Sequence, residues 1–71
     1  MSMTNLDMMM WLRKKMNDCQ EEIKYLEELL VTTNGPGDEI INSLNVNKSM
    51  YKAFETEYNR YYTMEMEIKN G

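Results

Sequence analysis

The sequence predicts an all-α protein, an antiparallel hairpin of two long amphipathic helices. Three observations carry this expectation. Met9, Leu12, Met16, Cys19, Ile23, Leu26 and Leu30 recur at alternating spacings of three and four, the signature of an apolar helical seam. A second stripe of Met50, Phe54, Tyr58, Tyr61 and Ile68 follows at helical spacing. Between the two lies "NGPG" at 34–37, with the glycines and proline that end helices.

The first helix is expected over about residues 4–32 of the 71-residue chain. Thr4 is placed to cap it, with Asp7 at the third helical position to complete a capping box. Met3 and Met8 stand at the two positions of a hydrophobic staple. The β-branched pair Thr32-Thr33 weakens the far end, and Gly35 is the expected C-terminal stop.

Asp38 then reads as the cap of a short connecting helix over about 38–44, in which Ile40, Ile41 and Leu44 close the bottom of the hairpin. Asn45 is expected to end it. Asn47 reads as the N-cap of a final helix over about 47–69, with Val46 and Tyr51 as a second staple. On these bounds the final helix is the shorter one, and the first turns of the first helix overhang it.

Residues 1–71 are thus expected to form a single domain, and at this length the core is thin: a chain so short buries only about 60% of its unfolded surface. Cys19 stands alone, which excludes an intrachain disulfide, and without histidine a zinc cluster lacks its usual ligands. Regular helix packing and self-association remain. Two hairpins joined in a four-helix bundle cover both apolar stripes, so a homodimer is expected.

Composition narrows the function classes. Eight basic residues against twelve acidic give a net charge of −4, opposite to what phosphate-driven nucleic-acid binding needs. Arg13, Lys14 and Lys15 beside Trp11, and Lys48, Lys52 and Arg60 among Tyr58, Tyr61 and Tyr62, are the material for stacking on bases, but acidic residues interleave them. The apolar run "MMMWL" is far shorter than the ~20 residues of a spanning helix, and its basic cluster follows it, unlike a signal peptide. A cytoplasmic protein with no membrane association is expected.

Neither a catalytic arrangement nor a cofactor or metal is expected. With no histidine, a general base would be a carboxylate or lysine, and no serine or cysteine has an activator near it in sequence. Cys19 sits on the seam and reads as a small core residue. Asp18 with Glu22, Glu21 with Glu28, and Glu57 with Glu65 read as solvated faces, since di-metal bundles use Glu-x-x-His pairs.

The remaining signal is apolar surplus in "LDMMMWL". At 100° per residue Met8, Met9 and Leu12 join the seam, while Met10 and Trp11 fall outside it. Trp11, Tyr25 and Leu29 form a sparse second stripe broken by Asp18 and Glu22. Aromatic and methionine side chains at such positions are favoured interface anchors. The expected function is therefore that of a small acidic, non-enzymatic interaction module, a regulator, adaptor or inhibitor. It docks on another protein through Met8, Met10, Trp11, Tyr25 and Leu29. The alternative is an acidic imitation of DNA, of the phage or mobile-element accessory type, in which Glu21, Glu22, Glu27 and Glu28 occupy the basic groove of a nucleic-acid-binding protein.

Overall fold

The computed structural model describes residues 3–70; Met1, Ser2 and Gly71, at the ends of the expected domain, lie outside the described residues. Among the described residues two helices make up the fold, α1 over Asn5–Thr32 and α2 over Asp38–Asn70, antiparallel and joined by the loop 33–37. No helix among the described residues is long and apolar enough to cross a membrane.

α1 begins as its sequence dictates. The Asp7 N–H donates to Thr4 Oγ1 at 3.1 Å, and the Thr4 N–H donates to Asp7 Oδ2 at 3.2 Å. This reciprocal box satisfies two of the donors a helix start leaves open. The other end stops differently from the expected glycine cap. Thr33 turns into extended backbone at φ −78 and ψ 134, and no glycine among the described residues has positive φ. The residue preceding Thr33, Thr32, folds its hydroxyl back onto the Leu29 carbonyl at 3.1 Å.

Gly37, not Asp38, stands at the start of α2: its carbonyl accepts from the Ile41 N–H at 2.8 Å. Asp38 and Glu39 instead lie in the first turn, where carboxylates favour the positive end of the helix dipole. Gly37 is needed because the loop lies against the end of α1, and a Cβ there would collide with Leu30 Cδ1. Gly37→Ala is therefore expected to push Leu30 from its rotamer, costing about 0.5–1.5 kcal/mol. Urea unfolding beside a Gly35→Ala control, where a Cβ meets open space, checks it; equal midpoints would mean that Leu30 yields freely.

The connecting helix and the final helix are one. Asn45 does not end a helix and Asn47 does not begin one. Asn47 Nδ2 donates to the Ser43 carbonyl at 2.9 Å from within α2. The reason lies in spacing: Ile40, Leu44, Asn47, Tyr51, Phe54, Tyr58, Tyr61 and Glu65 recur at four and three without a break. Each of the eight is buried or half-buried. Two asparagines cost a helix only about 0.7 kcal/mol each relative to alanine, less than continuous packing returns. The merger also removes the expected overhang, since α2 has 33 residues and α1 has 28.

Among the described residues the buried apolar side chains are Leu12, Cys19, Leu26 and Leu44. They form a single line between the helices. Cys19 is a free thiol within it. The molecule is a slab of 56 × 21 × 15 Å with a radius of gyration of 16.3 Å, against about 11 Å for a compact domain of this length.

Candidate functional site

A two-helix seam leaves two open faces, and two contacts tell them apart. Trp11 precedes the buried Leu12, and Gln20 follows the buried Cys19, so at 100° per residue they flank the seam on opposite sides. Trp11 meets Phe54 edge to face, with centroids 6.1 Å apart and planes at 89°. Gln20 Nε2 donates to Tyr51 Oη at 3.2 Å across the other side. Because the helices are antiparallel, residues preceding the seam positions of either helix share the Trp11 face, and residues following them share the Gln20 face.

The Trp11 face gathers most of the expected docking residues. Trp11 is 44% exposed and Leu29 37%, and Tyr25 stands further out. Across the seam α2 adds Met50, which is exposed, and Met64, which is half-buried. Asp18 and Glu22, exposed, lie between Trp11 and Tyr25 and divide the apolar positions of this face, as Glu57 does between Met50 and Met64. Lys15 lies within it, its amine 5.5 Å from the Trp11 ring centre, and Arg60 holds Glu57 at 2.9 Å.

Two expected members sit elsewhere. Met8 is half-buried at the edge of the seam. Met10, 71% exposed, points away from α2 on the back of α1. Trp11 also differs from its expected place well outside the seam: its ring reaches across to Phe54, so it is a packing residue with one open side. No family model, curated protein or solved structure matches this chain.

The four glutamates of the acidic reading are all exposed but do not form one surface. Glu21 and Glu28, seven apart, share a stripe on the back of α1, Glu22 lies on the Trp11 side, and Glu27 on the Gln20 side. Of the tyrosines that would stack bases, Tyr58 and Tyr61 serve the seam and are half-buried. Tyr62, outside it, stacks on Tyr58 at 6.4 Å, and Arg60 lies 5.4 Å from the Tyr61 ring. Among the described residues no three of Cys, Asp and Glu converge as metal ligands.

Gln20, Met50 and Phe54 were not singled out by sequence as parts of these faces. Met50 carried a signal, its methionine on the α2 stripe, but which face it joins depends on the register between helices. Gln20 carried none, because an exposed glutamine acquires meaning only once Tyr51 is known to lie across from it.

Proposed function

We propose that the hairpin is a non-enzymatic protein-interaction module that pairs with a second copy in a four-helix bundle and presents the apolar Trp11 face to another protein. The observation that supports this reading is surface. The chain exposes 5731 Å², whereas a folded monomer of 8.5 kDa is expected to expose about 4,700 Å². The excess is on the order of the ~800 Å² that each partner contributes to a standard interface. Much of it is apolar, since Trp11, Tyr25, Leu29, Val46, Met50 and Tyr62 are all exposed.

The chemistry of the Trp11 face is what supports reading the module as a regulator, adaptor or inhibitor. Trp and Met anchors exclude water from a contact, and the carboxylates between them select a partner whose basic residues alternate with apolar ones. Tyr25→Ala with Leu29→Ala is the variant that tests the face, because neither residue belongs to the buried line. Trp11→Ala is a poorer probe, since it also breaks the contact with Phe54.

The expected outcome is loss of the partner captured from native host extract by the tagged chain, identified by mass spectrometry, with helicity and melting midpoint unchanged. Capture surviving 0.5 M salt supports apolar anchors; capture lost by modest salt points to charge alone. An unfolded double variant would return both residues to the protein's own core and remove the reading.

A further inference from the structure

The Gln20 face has a charge order that inverts its sign when read from the opposite end. In α1 the residues following Leu12, Cys19 and Leu26 are Arg13, Gln20 and Glu27, all exposed. In α2 the residues following Ile40, Asn47, Phe54 and Tyr61 are Ile41, Lys48, Glu55 and Tyr62, also exposed. The first series is centred on Gln20 and the second beside Tyr51. Those two centres lie at one level of the hairpin, because Gln20 Nε2 and Tyr51 Oη are hydrogen-bonded at 3.2 Å.

We infer that a second copy of this chain seats on the Gln20 face about a two-fold axis running past Gln20 and Tyr51, with the two loops at opposite ends. This rests on the self-association proposed above and assigns its face and direction. Under that rotation each α1 lies against the other α1 in reverse. Arg13 then faces the second copy's Glu27, Lys48 faces its Glu55, and Ile41 faces its Tyr62. Unlike charges meet at both of these ionic pairs, apolar side chains meet at the third, and Gln20 faces its own copy.

Shape agrees with charge. An open hollow of about 630 Å³ lies along this side of α1, lined by Gln20, Ile23, Lys24, Glu27 and Val31 among others. Reversal about Gln20 brings Met9 and Met16 of the second copy to the level of Val31 and of the Lys24 stem, and methionine fills irregular space readily. The face available, 56 × 21 Å, exceeds the ~800 Å² per partner of a standard interface.

The alternatives fit less well. On the Trp11 face the same rotation sets Asp18 against the second copy's Glu22, like charge on like at both symmetry-related places, and Glu57 against its Val46. A dimer with both loops at one end brings like charge together. The half of the hairpin between residues 18 and 54 carries seven carboxylates and three lysines, the whole net charge of −4, while the other half balances five against five. Loops at opposite ends keep the two acidic halves apart.

Arg13 and Glu27 are fourteen residues apart, about 21 Å along one helix, so they meet only between copies. Sedimentation equilibrium of the full chain should show Arg13→Glu and Glu27→Arg each weakening the dimer about tenfold. The variant carrying both changes should regain wild-type affinity. A Gln20→Cys chain in glutathione redox buffer should form a disulfide-linked dimer, whereas wild type, whose Cys19 is buried, should not. A dimer that tolerates both single reversals, or whose Gln20→Cys variant gives no cross-link, overturns this seat and leaves self-association standing. A chain monomeric at every concentration overturns both.

Discussion

Leu12→Ala is expected to remove most of the stability of the hairpin. Leu12 is 2% exposed, the most covered of the four buried side chains. Truncating a buried leucine costs about 2–5 kcal/mol, the transfer of its methyl groups plus the cavity left behind. A chain of this length has about 4–10 kcal/mol in total, so a line of four residues has little to spare. Leu29→Ala, at the exposed rim, should cost under ~1 kcal/mol by the same measure. Circular dichroism during urea unfolding compares them. If Leu12→Ala loses no more than Leu29→Ala, the seam between α1 and α2 is not close-packed and the fold described here does not hold the chain together.

The difference between those two leucines was legible in the sequence. Leu12 lies on the three-four repeat and Leu29 lies off it, and the repeat ranks burial along α1 because it is set by helix geometry alone. The Thr4–Asp7 box was legible for a similar reason: both partners lie within one turn. What needed the structure were features that depend on two helices at once. The Trp11–Phe54 contact is one, since a ring about 100° from the seam reaches the neighbouring helix only through its own length. The division into a Trp11 face and a Gln20 face is another, because it requires knowing which side of α2 lies beside which side of α1. The sign of the charge was readable early, its placement only later: Glu21, Glu22, Glu27 and Glu28 look like one acidic cluster in sequence and are distributed around the helix.

Asn47 misled for a physical reason. Asparagine favours a helix start because its side chain can bond nearby backbone groups, and Val46 with Tyr51 gave that start a staple. The same capacity operates inside a helix, where Asn47 Nδ2 bonds the Ser43 carbonyl instead of an N–H ahead of it. Neither proline nor glycine occurs between Asp38 and Asn70, so nothing forces an interruption there, and with Asn47 counted as a seam position the repeat is continuous. A polar residue at such a position fixes the register of packed helices at some cost in stability, which gives Asn47 a use that a cap would not.

Val46→Pro separates one continuous α2 from two helices by a large margin. Val46 is 57% exposed, so its side chain contributes little and the effect isolates the backbone. Were residues 45–47 a joint, the substitution would fall just before the first turn of a new helix, where proline is tolerated. Within α2 it removes the bond from the residue 46 N–H to the residue 42 carbonyl, and its ring strikes that carbonyl, a cost of about 3 kcal/mol or more. The break would fall beside Leu44, one of the four buried residues, and would uncouple the loop end of the hairpin from the rest. Val46→Ala is the control and should change stability by less than ~0.5 kcal/mol. Urea unfolding should therefore place Val46→Pro far below both Val46→Ala and wild type. Equal midpoints would restore the joint at 45–47 and with it the short connecting helix. They would also remove the common level of Gln20 and Tyr51 on which the seat of the second copy depends, because a hinge four residues before Tyr51 would free its register against α1.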